Sequence, residues 1–323
     1  MAQAKGVMGK LIRHENGESA YRTDPSSVHA VSLPFNTFDV KPDRNLITPA
    51  TITGRVDAAK PAVGFTNVGG AAVIPIDQAA FGYWLQALLG PPTTTATGSA
   101  YQHVFKTNSV QNSYAYEVGY LDITEYEKFS GCKLNGMSLR VGGDEELTAS
   151  FDIVGGDAVM AGTSMSSRVT TMSLSRFNQF DASITEAGAI ISTIRSLTLN
   201  VARNLDTGVY LVTSGSSGKR GALPEGFCNV TGEMEMTFEN RSYYLKAMSG
   251  TETSLTLRFQ TGSFYLLFEV NEMNLRWTGP GISTPGGIYL TLPFEAYYDN
   301  ASPDETIIQA TLVNTWSAYS GHL

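Results

Sequence analysis

A chain of 323 residues, 42% of them hydrophobic, is long enough for two domains of ordinary size and too apolar to be disordered throughout. No apolar run approaches the roughly 20 residues that a membrane-spanning helix requires, so we expect no membrane partner. The formal charge of −8 and the lack of clustered Lys and Arg argue against a protein that holds nucleic acid tightly. The first residues carry no export signal, which predicts folding in the cytoplasm.

Residues 1–27 contain glycines, serines and charges with little periodicity, which predicts an N-terminal arm whose order depends on a neighbour. From about Val28 onward, short runs rich in β-branched and aromatic residues are separated by Gly, Pro, Asn and Asp. This pattern is typical of a mostly β protein. Two short segments have the periodicity of a helix.

The first helical segment spans about residues 80–90 and follows the strand-like residues 65–70. Asp77 is placed to cap its N-terminus and Gly90 to end it. Apolar residues at helical spacing predict a stripe packed on a sheet, made of Phe81, Trp84, Leu85 and Leu88.

The second helical segment, at about 241–250, repeats this arrangement. It follows residues 227–232, which match residues 65–70, and it is flanked by Asn240 and Gly250. Its predicted core stripe consists of Tyr244, Leu245 and Met248.

Further matches extend the repeat. Residues 44–48 recur at 203–207, and residues 134–141 recur at 270–277. One module written twice is therefore predicted, with one helix in each copy.

The spacing between matching residues reveals a difference in length. Asn67 and Asn229 are 162 residues apart, whereas Leu134 and Val270 are 136 apart. The first copy must hold about two dozen additional residues between these points. We assign them to residues 114–130, which carry five aromatic side chains: Tyr114, Tyr116, Tyr120, Tyr126 and Phe129.

Apolar and polar residues alternate in residues 137–152 and again in residues 273–295. Alternation with one apolar face predicts antiparallel strands that are buried on one side and wet on the other. The predicted wet side comprises Ser138, Arg140, Thr148, Ser150, Asp152, Asn274, Arg276, Thr291 and Glu295. One Arg and one acid in each copy suggest cross-strand partners rather than catalysts.

These patterns predict four parts. Residues 1–27 are the arm, 28–160 the first module with its insertion at 114–130, 161–175 a connector, and 176–323 the second module with a last strand near 306–315.

Catalytic chemistry is not predicted. His14, His29, His103 and His322 lack metal-ligand spacing to other ligands, and Cys132 and Cys228 occupy unmatched positions in the two copies, as expected of two buried thiols. No nucleophile and base can be assembled into a site, so we expect no catalytic residues, no metal and no cofactor.

The order of these segments resembles the tail tube proteins of long-tailed bacteriophages. The similarity lies in residues 11–18, a first strand near 30–40, the Asn-Leu-Ile-Thr turn at 45–48, residues 68–70 before a Leu-rich helix, and the strand at 131–139. It extends over most of the chain as pattern and order rather than as an invariant motif.

The resemblance implies two tandem β-sandwich or split-barrel modules, each with one flanking helix. It also implies a structural virion protein whose rings stack into a hollow tube for DNA passage, assembled in the host cytoplasm. The wet faces would line the lumen, and the five aromatic residues of 114–130 would join stacked rings, together with the arm.

The same resemblance implies partners. These are further copies of the chain, the tail terminator, the tape measure protein, baseplate-side proteins, and DNA in transient passage. Two modules per chain would close a pseudo-sixfold ring with three chains; a hexamer with an outer second module is the competing arrangement. A non-catalytic β-sandwich that binds or adheres through exposed aromatics is the alternative function.

Overall fold

The computed structural model describes residues 3–212, 218–282, 285–298 and 306–319. These residues form a mostly β protein with two α-helices, which confirms the predicted fold class. The first half contains β1 (Gly9–His14), β2 (Ala30–Leu33), β3 (Thr37–Phe38), β4 (Lys41–Ile47), β5 (Ala62–Pro75), α1 (Phe81–Leu89), β6 (Thr93–Thr97), β7 (Ala100–Lys106), β8 (Tyr114–Tyr120), β9 (Glu125–Val141), β10 (Thr148–Gly155) and β11 (Asp157–Ala161).

The second half has a similar succession of elements. It contains β12 (Val169–Thr171), β13 (Ala182–Glu186), β14 (Ala189–Ile190), β15 (Ile194–Ala202), β16 (Asn229–Thr237), α2 (Ser242–Ser249), β17 (Thr253–Thr261), β18 (Phe264–Leu275), β19 (Tyr289–Ala296) and β20 (Gln309–Asn314). β20 is the last strand that the sequence predicts near 306–315.

One antiparallel sheet runs through both halves. Its order is β4–β5–β10–β9–β15–β16–β19–β18, with β3 continuing β4 along the edge of β5. β9 and β15 join the halves directly, from Gly136 opposite Ala202 to Val141 opposite Leu197. We call this the shared sheet. The buried apolar residues of both halves form one core beneath it.

The long strands β9 and β18 each leave the shared sheet and enter a second layer. The N-terminal part of β9 pairs with β8 and β11, and β8 pairs with β1. The N-terminal part of β18 likewise pairs with β17 and β20, and β17 pairs with β13. The strand orders β1–β8–β9–β11 and β13–β17–β18–β20 therefore agree.

The extra strands of the first half are β6 and β7. They form a hairpin after α1, and β7 pairs with β20 of the second half. β8, in contrast, takes the place beside β9 that β17 takes beside β18. The sequence predicts the additional residues at 114–130; in the structure that segment lies in β8 and β9, whereas the hairpin at 93–106 has no counterpart in the described strand order of the second half.

The sequence predicts an arm over residues 1–27, but Gly9–His14 forms a strand of the folded core. This strand lies between β2 and β8, and its side chains Leu11 and Ile12 are buried. The guanidinium of Arg13 is fully buried and donates hydrogen bonds to the backbone oxygen of Tyr83 and to Oε1 of Gln86, each at 2.5 Å. A strand that carries these contacts belongs to the core.

The predicted connector is also more ordered than expected. Val169–Thr171 pairs in parallel with β2, so residues 161–175 contribute a strand to the second layer of the first half.

Helix α1 is buried on all sides and not only along the predicted stripe. Phe81, Trp84, Leu85 and Leu88 are buried. The buried carboxylate of Asp77 accepts hydrogen bonds from the backbone N–H groups of Ala80 and Phe81, 3.1 and 2.7 Å away. These bonds satisfy donors that the first helical turn leaves without partners.

Helix α2 corrects the second core stripe. Gly250 ends the helix in the left-handed conformation, and Asn240 accepts a hydrogen bond from the N–H of Ser242, as predicted. The predicted core residues Leu245 and Met248 are nevertheless exposed, and Tyr244 is half-buried. Ala247 is the buried residue of this helix, with Tyr243 packed against the core.

Candidate functional site

The nine residues predicted on the wet side lie on one surface of the shared sheet. They are joined there by polar residues of β15 and β16, which sequence reasoning did not select. We call this surface the polar face; it consists of Ser138, Arg140, Thr148, Ser150, Asp152, Ser196, Thr198, Asn200, Thr231, Glu233, Glu235, Asn274, Arg276, Thr291 and Glu295. All of them are exposed or half-buried.

Strand register brings these residues into rows across both halves. One row crosses six strands through directly opposed residues, in the order Ser150, Ser138, Asn200, Thr231, Glu295 and Asn274. Residues directly opposite on antiparallel strands have neighbouring side chains on the same face. The polar face is therefore continuous where the two halves meet.

The sequence pattern of β15 could have identified its polar-face residues. Leu197, Leu199 and Val201 alternate with Thr198 and Asn200, and the apolar three are buried. The same period of two that identified β9 and β10 would have identified β15.

Hydrogen bonds and one ion pair order the polar face. Ser138 Oγ donates to Asn200 Oδ1 at 2.7 Å, across the strands that join the two halves. Arg195 pairs with Glu235 at 2.5 Å. Such exposed contacts add little to stability.

Carboxylates outnumber guanidinium groups on this surface. The acids are Asp152, Glu233, Glu235 and Glu295, and the bases are Arg140, Arg276 and the adjoining Arg195. An open depression of about 640 Å³ lies over the second half of the face and is lined by Thr198, Glu233, Arg276 and Glu295 among others. The surface is therefore hydrophilic and slightly acidic, with a depression over its second half.

The described residues hold no group of three His, Cys, Asp or Glu side chains that could bind a metal ion. Cys132 is buried and Cys228 half-buried, both are free thiols, and burial raises the pKa of each. Neither described helix is long and apolar enough to cross a membrane.

Comparison with known protein families assigns the chain. A family model described as phage tail tube protein matches residues 17–296, which covers most of both halves and every residue of the polar face. The chain belongs to the phage tail tube protein family. A search of curated proteins found no match to it. Family membership makes this chain a structural protein of the virion tail.

Three of the five aromatics predicted to join stacked rings lie inside the tail tube protein. Tyr114, Tyr116 and Phe129 are each 1% exposed. Tyr116 stacks on Trp84 of α1 with 5.6 Å between ring centroids. The prediction that these three side chains contact a stacked ring is wrong, because they are buried in the core of their own chain.

Tyr120 and Tyr126 have a different position. They are half-buried at the turn end of the β8–β9 hairpin, next to the exposed side chains Leu121 and Ile123. The structure thus separates these two from the other three aromatic residues.

A strongly exposed apolar segment of the tail tube protein is the outer part of the β4–β5 hairpin. The two strands pair as far as Ile47 opposite Ala62, and residues 48–61 form the connecting loop. Exposed apolar side chains cluster here, with Ile52 96% exposed, and also include Leu46, Ile47, Val56 and Val63. Sequence reasoning did not select this segment.

Proposed function

We propose that copies of this tail tube protein close into rings, and that stacked rings form a hollow tube through which DNA passes to the host. The polar face lines the lumen. One observation carries the proposal: the polar face continues without interruption from the first half to the second, so that one chain supplies a broad, hydrophilic wall.

We further propose that the two halves are copies of one module. The matching strand orders support this, and so do two glycines 162 residues apart. A Cβ at Gly70 would lie 2.0 Å from the backbone oxygen of Asp39, and a Cβ at Gly232 would lie 2.2 Å from that of Thr198. Both positions require glycine for the same close approach to the neighbouring strand.

Two modules per chain suggest the size of the ring. Three chains then supply six modules around a pseudo-sixfold axis. A hexamer with decorative second modules is less consistent with the structure, because the second half contributes as much polar face as the first.

An acidic lumen suits DNA passage. DNA carries one charge per about 1.7 Å of its axis, so a basic wall would retain it through many phosphate contacts. The carboxylates of the polar face repel phosphate, and its hydroxyl and amide groups keep the wall hydrated. The DNA therefore slides without being held.

Contact between stacked rings is assigned to the outer β4–β5 hairpin. Its apolar side chains are exposed to water, and those of Ile52 and Val56 are almost fully exposed. Burial of these side chains against the next ring would be favourable. The turn end of the β8–β9 hairpin, with Tyr120 and Tyr126, is a second contact. At the two ends of the tube the partners are the tail terminator and baseplate-side proteins, and the tape measure protein occupies the lumen during assembly.

Electron microscopy and mass measurement of the purified protein test the proposal together. We expect hollow filaments or rings with apparent sixfold symmetry and a mass of three chains per ring. A globular monomer at all concentrations would contradict it and favour the alternative of a binding or adhesion module. Sixfold rings with a mass of six chains would be consistent with the proposed tube but would refute the proposed trimer per ring.

A further inference from the structure

The joint between the two halves provides a template for the joint between two chains. Within one chain, β9 and β15 pair so that Arg140 lies opposite Thr198 and Val141 opposite Leu197. If the halves are equivalent, as the proposed function assumes, the counterpart of β15 in the first half and the counterpart of β9 in the second half must be joined in the same way between neighbouring copies.

Both counterparts have an edge without a strand partner among the described residues. β3 and β4 pair with β5 on one side only. Residues 274–278 continue β18 beside β19: the N–H of Arg276 donates to the oxygen of Pro293 at 2.7 Å, and the hydroxyl of Thr278 donates to the oxygen of Thr291. Unpaired strand edges are templates for pairing with another chain.

The glycine contacts align the first edge with β15. Because Gly70 and Gly232 approach the backbone oxygens of Asp39 and Thr198 in the same way, Asp39 corresponds to Thr198. By continuation along the strand, Phe38 corresponds to Leu197.

A shared motif aligns the second edge with β9. Asn135, Met137, Leu139 and Arg140 recur with unchanged spacing as Asn271, Met273, Leu275 and Arg276. By this alignment Arg276 corresponds to Arg140, and Trp277 corresponds to Val141.

We propose that residues 37–41 of one copy pair antiparallel with residues 274–278 of the next, with Asp39 opposite Arg276 and Phe38 opposite Trp277. The occupant of each edge is thus a second copy of this chain. The contact joins unlike surfaces, head to tail, and such contacts close into a ring when the rotation permits. Three of them extend the shared sheet and its polar face around the lumen.

The exposure of Trp277 supports this joint. Its side chain follows Met273 and Leu275 on the core side of the strand, and both of these are buried, yet Trp277 is 55% exposed. Val141, its counterpart, is 6% exposed because β15 covers it. A strand from the next copy would cover Trp277 in the same way.

Charge selects the register. A slip of one residue would turn the apolar side chains to the wrong face, so the competing registers differ by two residues. A slip in one direction puts Arg276 opposite Lys41, a like charge, and a slip in the other puts it opposite Thr37. Opposite charges face each other at Asp39, whose carboxylate already pairs with Lys41 on the exposed edge.

Disulfide trapping tests the register. The double variant Asp39→Cys/Arg276→Cys should form covalent dimers and trimers on oxidation, at least about tenfold faster than the matched pairs Lys41→Cys/Arg276→Cys and Thr37→Cys/Arg276→Cys. Directly opposed residues bring Cβ atoms to about 5 Å, whereas diagonal ones are about 7–8 Å apart. Faster trapping of either matched pair, or no trapping in rings seen by microscopy, would overturn the inference while leaving the tube intact.

A charge exchange provides the second measurement, since it needs no oxidation. Asp39→Arg and Arg276→Asp should each lower the yield of rings by about fivefold per contact, and the double exchange should restore it. Single variants that form rings as well as the unaltered chain, or a double exchange without recovery, would refute the contact. Failure of the unaltered chain to form rings would instead refute the proposed function on which this inference rests.

Discussion

The aromatic ring of Tyr319 lies directly over Gly82 of α1. A Cβ at Gly82 would be 2.1 Å from Cζ of Tyr319, a distance that no structure accommodates without movement. The tyrosine is buried, and its hydroxyl donates to the oxygen of Ala79 at 2.8 Å and accepts from Asn314 Nδ2 at 2.7 Å. A residue near the C-terminus thus closes the core around the helix of the first half.

Gly82→Ala is expected to destabilise the protein by about 1–3 kcal/mol, because the added methyl group displaces the ring of Tyr319. Urea denaturation gives the free energy of unfolding. In a Tyr319→Ala background the same substitution should become stabilising by about 1 kcal/mol, since alanine is the better helix former. Equal destabilisation in both backgrounds would show that the tyrosine is not the cause.

The stability of the α1 cap should depend on pH through Asp77. Burial raises the pKa of its carboxyl to about 6 from an ordinary value of 3.8. The folded state therefore binds the proton more tightly, and this group's contribution to stability falls as pH rises from about 4 to 6, by about 3 kcal/mol in all.

Asp77→Asn removes the titration and retains an oxygen acceptor for Ala80 and Phe81. Relative to the unaltered chain, this variant should gain stability as pH rises from 4 to 7 in denaturation experiments. Asp77→Ala is the control, because it loses the acceptor at every pH. A free-energy difference between Asp77→Asn and the unaltered chain that does not change with pH would contradict the pKa shift.

Charge reversal on the polar face should make the tube retain DNA. Glu233→Lys/Glu295→Lys removes two negative charges and adds two positive ones, which raises the net charge of the proposed lumen by four per chain. We expect short tubes of this variant to bind duplex DNA, with a salt dependence that steepens by about 0.9 in log–log slope for each phosphate contacted.

Co-sedimentation of DNA with tubes measures this retention over a range of salt concentrations. Asp144→Lys, in the turn between β9 and β10, is the matched control, because it reverses an exposed charge away from the polar face. Equal retention by the control and the double variant would argue that the polar face does not line the lumen.

Contact between rings should fail when the outer β4–β5 hairpin is made polar. Ile52→Asp/Val56→Asp removes the two most exposed apolar side chains of its loop and should leave single rings that do not elongate, as judged by electron microscopy. Thr51→Asp introduces a charge in the same loop without removing apolar surface, and it should elongate normally. Tubes of ordinary length from the double variant would exclude this hairpin as the contact.

Sequence periodicity was sufficient where the structure depends on neighbours along the chain. The alternation of Met137 and Leu139 with Ser138 and Arg140 identified the buried and polar sides of β9 correctly, because side chains of a strand alternate whatever lies beside it. Asp77 and Gly90 were likewise identified from the sequence as the residues that cap α1, since each acts within one turn of the helix.

Helix α2 shows where periodicity fails. Apolar and aromatic residues occupy more than one side of this helix, and Tyr244, Leu245 and Met248 formed an acceptable stripe. The buried side is instead the one that contains Ala247 and Tyr243, because α2 rests on its sheet through a small residue. Only the position of the helix on the sheet distinguishes the two sides.

The position of the additional residues of the first half stays a prediction for a related reason. An alignment of two copies gives the difference in length between Asn67 and Leu134, but it does not show which strand pairs with which. The hairpin at 93–106 is bound by β20, some two hundred residues later in the chain, and that contact has no local signal.

The sequence by itself determined that this protein is mostly β, that it has two helices after matching strands, and which sides of its central strands are polar. Each of these follows from residue order with a period of 2 or 3.6, so it requires no knowledge of distant partners. The tertiary structure decided that Gly9–His14 is a core strand, that Tyr114, Tyr116 and Phe129 are interior, and that β9 and β15 join the halves in one sheet. These features depend on pairings between residues far apart in the chain, where register and neighbour are fixed by the packing of the whole core.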